Sequence, residues 1–99
     1  AWIYRRQLPV MVAAWRELWA DATLPFVVAQ LPRYGPVAAF DADNEWAALR
    51  ESQRVAVNAI PHATLAVLID TGDPARIHPG DKLAPGIRLA DTALAAVYG

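Results

Sequence analysis

Cysteine is absent from the 99 residues, and serine occurs only once, as Ser52. The first absence excludes disulfide bonds and catalytic thiolates. The second leaves little room for a serine nucleophile. Ser52 falls off the apolar stripe of a predicted helix and lacks the glycine-flanked turn that presents such nucleophiles. Thr71 has no activating neighbour. The sequence therefore predicts a chain without a nucleophile of its own.

An excess of charge and a long apolar run are also missing. The net charge of −1 gives no reason to expect nucleic acid as a partner. No run approaches the roughly 20 apolar residues of a membrane span. His62 and His78 fall at opposite ends of the predicted sheet, and no glycine-rich phosphate loop is present, so we predict neither a metal nor a cofactor.

Apolar residues, by contrast, are abundant at 56%, and four of them are tryptophan. A chain of this length forms one domain at most, with a small core. It cannot easily cover so much apolar surface alone. We therefore expect a further part of the same domain, a partner or a second copy to cover the surplus.

The apolar patterning predicts an α/β chain. Its elements alternate in the order helix, strand, helix, strand, helix, which favours parallel strands. We place them at residues 4–19 (with Pro9 in the first turn of a helix that begins near Leu8, or at a kink), 24–31, 43–60, 64–69 and from 82–85 onwards. Two strands alone leave both sheet edges open, so further strands are expected.

Two predicted helices carry polar residues whose placement matters. Arg50 and Gln53 fall within the apolar stripe of the second helix, so both are expected in a polar network. Arg16 of the first helix is expected to face water. In the last helix, Leu83, Ile87, Ala90, Leu94 and Tyr98 form the predicted apolar stripe.

His78 is the most informative candidate for chemistry. It follows the second predicted strand, and ligands of open α/β sheets bind at the carboxyl ends of the strands. A histidine there can act as a general base, or it can be a plain surface side chain. Asp73 is a candidate to orient it, although local turn bonding is an equal alternative, and Asp70 more simply pins the loop. His62 is expected to be structural or solvated.

Several short motifs, in their order and spacing, resemble the sialate O-acetylesterase family of SGNH (GDSL-like) hydrolases. The resemblance covers the chain from about residue 4 to 99. The motifs are Trp15-Arg16, Pro25-Phe26, Gln30-Leu31, Leu49-Arg50-Glu51 with Gln53, Ile69-Asp70-x-Gly72-Asp73, Ile77-His78-Pro79 with Lys82, and Gly86-x-Arg88-Leu89-Ala90.

The resemblance implies a three-layer, flavodoxin-like fold and an esterase that removes acetyl groups from carbohydrate hydroxyls such as those of sialic acid. In this family a serine attacks the acetyl carbonyl, and the histidine that matches His78 activates it. The family's nucleophile block and its Gly-Glu-Ser-Asn-type block are not in this chain, so we expect residues 1–99 to be the C-terminal portion of one such domain, inactive alone. Many SGNH enzymes place the acid three residues before the histidine, where this chain has Ala75. Asp73 could serve from further back, or a Ser–His pair could work without an acid.

The sequence leaves two other hypotheses open. The chain can be a non-catalytic interaction module, which covers its apolar faces by dimerising or by docking on a partner. It can also be a binding domain for an unrelated ligand that shares only the loop. We take the esterase portion as the main hypothesis, with an O-acetylated carbohydrate and the remainder of the domain as its partners.

Overall fold

The computed structural model describes residues 1–35 and 45–99. It has the predicted order of elements. The helices are α1 (Tyr4–Leu18), α2 (Glu45–Asn58) and α3 (Leu83–Ala93), and the strands are β1 (Phe26–Ala29) and β2 (Ala63–Ala66). A π-helical segment, Leu94–Tyr98, continues α3. The predicted caps of the second helix, Asp43 and Asn44, lie outside the described residues.

The two strands are parallel neighbours, as predicted. Their register pairs Phe26 with Ala63 and Ala29 with Ala66, so both strands end at the same edge. They are shorter than the apolar runs that predicted them, because those runs continue into loops. Within the described residues the sheet has only these two strands. The fold class predicted from the sequence is therefore confirmed as α/β with parallel strands.

The core lies on one face of the sheet. Leu8 and Val12 of α1 pack there against the apolar face of α2. Phe26 and Val28 of β1 point into this cluster, and side chains alternate along a strand. The intervening positions therefore face the opposite side, where α3 contacts both strands. The helices and the sheet thus form three layers.

Helix α1 differs from prediction in two respects. It begins at Tyr4, so Pro9 lies inside the helix and the alternative start near Leu8 is wrong. Arg16 does not simply face water. Its guanidinium donates to the carbonyls of Leu24 at 2.9 and 3.0 Å and of Pro61 at 2.7 Å. This side chain therefore ties α1 to the segments that lead into both strands.

Helix α3 presents to solvent the stripe predicted to be its buried face. Leu83 is 73% exposed and Tyr98 is 79% exposed. Ile87 and Leu94, which lie between these two residues in the stripe, are each at least half exposed. The positions turned inward, which are half-buried, are Ala84, Pro85, Arg88, Leu89, Thr92 and Ala93. Arg88 takes a place on the inner face because it pairs with Asp70 on the loop after β2. Periodicity had located the apolar stripe but not the side of the helix that the sheet contacts.

None of the helices in residues 1–35 and 45–99 combines the length and the hydropathy needed to cross a membrane.

Candidate active site at the carboxyl ends of the strands

Backbone hydrogen bonds join the loop after β1 to the loop after β2. The amide of Arg33 donates to the carbonyl of Thr71 at 3.2 Å, and the amide of Gly35 donates to that of Pro74 at 3.0 Å. Both loops leave the sheet at the same edge, because the strands are parallel. The segment before His78 is therefore fixed against the first loop and not only against its own strand.

Gly72 allows the two loops to approach each other. Its φ of +92° lies in the region that favours glycine. A Cβ atom at this position would also lie 2.6 Å from the carbonyl oxygen of Arg33 and 2.8 Å from Cβ of Pro32. Both the backbone conformation and the available space therefore require glycine here.

Two buried or half-buried glutamine side chains hold the strand ends. Gln53 of α2 accepts from the amide of Leu31 at 2.9 Å and donates to the carbonyl of Ala29 at 3.3 Å. Gln30 accepts from the amide of Leu68 at 2.9 Å. The polar network predicted for Gln53 is thus present. Arg50 is half-buried, but it forms no hydrogen bond within residues 1–35 and 45–99, so the prediction fails for this residue in the part of the chain described.

Asp70 pins the loop to α3, as its turn position suggested. Arg88 donates to both oxygens of its carboxylate, at 2.7 Å to Oδ2, and to the carbonyl of Val67 at 3.2 Å. The hydrogen bonds from Arg88 are the main cause that lowers the pKa of Asp70 to about 2, and its own backbone amide contributes. Asp70 is therefore an ionised anchor of the loop.

Asp73 forms a local turn. Its Oδ1 accepts from the amide of Ala75 at 2.8 Å, and its carbonyl accepts from the amide of Arg76 at 3.1 Å. The described residues contain no hydrogen bond between Asp73 and His78. The turn-bonding alternative for Asp73 is thus present in the structure, and its role as an orienting acid stays a prediction.

His78 lies exposed on the loop between β2 and α3. No hydrogen bond or ion pair to its imidazole occurs among the described residues. The imidazole therefore has no hydrogen-bond partner in this part of the chain. A base in this state can accept a proton from a group brought to the loop, although nothing in this part of the chain fixes its orientation.

The other side chains considered from the sequence make structural hydrogen bonds or lie exposed to solvent. Ser52 is 1% exposed and accepts from Nε of Arg5 at 3.2 Å, so its predicted position off the buried stripe is wrong. Thr71 donates to the carbonyl of Leu68 at 2.7 Å. His62 is exposed in the turn before β2, with a φ of +58°. None of the three is presented as a nucleophile or a ligand.

A cleft of about 430 Å³ lies between this loop and α3. Its lining includes Asp70, Asp73, Asp81 and Arg88 but not His78. Among the described residues, no group of three His, Cys, Asp or Glu side chains is arranged to hold a metal ion. A larger cavity of about 670 Å³ lies at the other end of the sheet, where Pro61 precedes β2.

Sequence reasoning missed two features of this region. Arg88 lies 18 residues after Asp70, and only the tertiary fold brings them together. The ring centroid of Tyr34, on the loop after β1, lies 5.4 Å from the ring centroid of Trp46 on α2. The sequence carried one signal for each feature. Arg88 is a polar residue within a predicted helix, and Tyr34 is an aromatic residue within a Gly/Pro-rich loop.

Comparison with known proteins gives a match among solved structures. No protein-family model matches the chain, and no curated protein does. A crystal structure of a carbohydrate acetylesterase from Xanthomonas citri matches it over its full length, with 40% sequence identity and a TM-score of 0.89. The chain spans 23% of the length of that protein. It is thus similar, in fold and in sequence, to a fragment of an esterase.

Proposed function

We propose that this chain is the histidine-bearing, C-terminal portion of a carbohydrate O-acetylesterase domain of the SGNH type. The observation that supports this most is the full-length match, at 40% identity, to part of a solved carbohydrate acetylesterase. The position of His78 after the last strand agrees with it, because this is where an α/β hydrolase carries its base. Sialate esters, as a special case of acetylated sugars, fall within the same proposal.

In this proposal His78 acts on a serine supplied by a segment outside residues 1–99. The serine oxygen bonds to the acetyl carbonyl carbon, and His78 accepts the proton of the serine hydroxyl as this bond forms. The bond to the sugar oxygen then breaks, and the imidazolium returns the proton to that oxygen. Water attacks the acetyl-serine in the same way, and acetate leaves. The chain supplies the base and the fixed loop that carries it.

Asp73 is the proposed partner of the imidazole. It lies five residues before His78 on the same loop, and its present hydrogen bond is to a backbone amide two residues away. To orient His78, its second oxygen must reach the ring once the rest of the domain is in place. Asp81 offers a matched comparison, because its Oδ1 accepts in the same manner from the amide of Leu83 at 3.0 Å.

The direct test is acetate release from an O-acetylated carbohydrate such as methyl 6-O-acetyl-glucopyranoside. We expect none from residues 1–99 alone. We expect hydrolysis when the chain is mixed with the part of the Xanthomonas citri esterase that precedes the matching segment. Turnover by the isolated chain would contradict the proposal, because it contains no exposed serine to carry the acetyl group.

An interaction module is the second candidate, favoured by one observation. The apolar stripe of α3 is open to solvent from Leu83 to Tyr98. A chain of this class would form a defined dimer or a stable complex, and complementation would yield no hydrolysis. Sedimentation analysis together with the acetate assay separates the two candidates.

A further inference from the structure

Two aromatic rings lie together beside the loop that carries His78. The rings of Tyr34 and Trp46 are 5.4 Å apart between centroids, with an interplanar angle of 60°. The indole nitrogen of Trp46 also donates to the carbonyl of Pro32 at 2.7 Å. Trp46 on α2 therefore holds the loop after β1 through a ring contact and a hydrogen bond.

The backbone on either side of Tyr34 is bonded to the loop after β2. The amide of Arg33 donates to the carbonyl of Thr71, and the amide of Gly35 donates to that of Pro74. Tyr34 thus sits between two bonds to the segment that leads through Asp73 to His78. Its position relative to that segment is set by backbone bonds and not by side-chain packing alone.

Tyr34 is nevertheless 40% exposed as a residue. An aromatic side chain fixed in this way and still open to solvent offers a flat apolar surface with little conformational entropy to lose on binding. The C–H groups on one face of a pyranose ring pack well on such a surface, and a phenolic hydroxyl can hydrogen-bond to sugar hydroxyls.

We infer that Tyr34, backed by Trp46, binds the pyranose ring of the carbohydrate whose ester is presented to His78. The inference rests on the proposed function and assigns it a substrate-binding residue. The acetyl group would lie toward His78 and the sugar ring toward Tyr34. The substrate would thus cross the two loops that the backbone hydrogen bonds join. Tyr34 is a binding residue in this account and takes no part in proton transfer.

The test uses residues 1–99 and methyl 6-O-acetyl-glucopyranoside as the probe, followed by NMR. We expect the ring signals of Tyr34 and the amide of Gly35 to shift on titration. Tyr34→Ala should lose the shift of the Gly35 amide, with binding about tenfold weaker or more, whereas Tyr34→Phe should keep most of it. Tyr98→Ala is the matched control, because Tyr98 is exposed on the π-helical segment, and it should bind like the unchanged chain.

Two results would overturn the inference. One is an absence of shifts at Tyr34 and Gly35 at millimolar probe. The other is an equal loss of binding in Tyr98→Ala, which would indicate contact with exposed aromatic rings in general. Dispersion of the amide signals in Tyr34→Ala verifies that the variant is folded. Because binding requires no serine, a positive result together with a failed acetate assay would reject the esterase and keep the sugar site.

Discussion

Asp70 remains ionised at a pH where an ordinary aspartate is protonated, because Arg88 donates to both of its oxygens. Its pKa is about 2 in the folded chain, against an ordinary value of 3.8. A lowered pKa in the folded state means that ionised Asp70 favours folding. This contribution is complete above about pH 5 and is lost as the pH falls through the interval from about 4 to 2.

Replacing Asp70 by Asn tests this assignment. The difference in free energy of unfolding between the chain and Asp70→Asn should be constant above about pH 5 and shrink toward zero near pH 2. Urea denaturation at a series of pH values measures it. In an Arg88→Gln background the same substitution should show a much smaller pH dependence, because the guanidinium that lowers the pKa of Asp70 is gone. A difference for Asp70→Asn that is the same at pH 2.5 and pH 6 would contradict the role of the pair.

Gly72 gives the second residue-scale prediction. Gly72→Ala should destabilise the chain by at least about 1–2 kcal/mol, because it combines a left-handed φ with close contacts to Pro32 and Arg33. Gly80→Ala is the control, since a Cβ at Gly80 meets nothing within 4 Å. Thermal denaturation of both variants measures the difference in stability. Equal melting temperatures would show that the two loops can move apart without destabilising the chain.

At the scale of elements, Gln53 joins α2 to the carboxyl end of β1. Gln53→Leu leaves the amide of Leu31 and the carbonyl of Ala29 without this partner, so we expect a loss of about 1–3 kcal/mol in stability. In a complemented esterase, activity should fall even at temperatures where the variant is fully folded, because the loop after β1 shifts. Arg54→Ala, on the exposed side of α2, should change neither quantity much. A loss of activity no larger than the loss of folded protein would argue against a role in positioning the loop.

Helix α3 shows where the sequence was sufficient and where it was not. The order of elements, the parallel strands and the polar role of Gln53 followed from periodicity and from the cost of unpaired polar groups. The side of α3 that contacts the sheet did not, because the pairing of Asp70 with Arg88 is a tertiary contact between distant residues. Ser52 was misplaced for a similar reason, since burial of a lone hydroxyl depends on Arg5 of another helix.

The solvent-facing stripe of α3 makes a prediction of its own. The double variant Ile87→Lys with Leu94→Lys should have a free energy of unfolding within about 0.5 kcal/mol of that of the unchanged chain. Both residues are at least half exposed, so little burial is lost. It should also reduce any concentration-dependent association seen by sedimentation. Unfolding of this variant would mean that the stripe contributes to the core of the chain.

For the molecule as a whole, the chain has a fixed loop, an accessible imidazole and no presented serine among its described residues. It matches 23% of a longer esterase, and its apolar surface is more extensive than its small core. These properties agree with a catalytic domain that is completed by further segments. In the proposed function, this chain supplies the base and its loop, and the nucleophile comes from a segment outside residues 1–99.

The most direct test replaces the matching segment of the Xanthomonas citri acetylesterase with residues 1–99 and measures acetate release from acetylated carbohydrate. We expect an active chimera, with turnover at least about 100-fold lower in His78→Gln, since the proposed base is lost. Asp73→Asn should also lower turnover, whereas Asp81→Asn should not. A folded chimera that hydrolyses the ester equally well with glutamine at position 78 would contradict the role of His78 as the base.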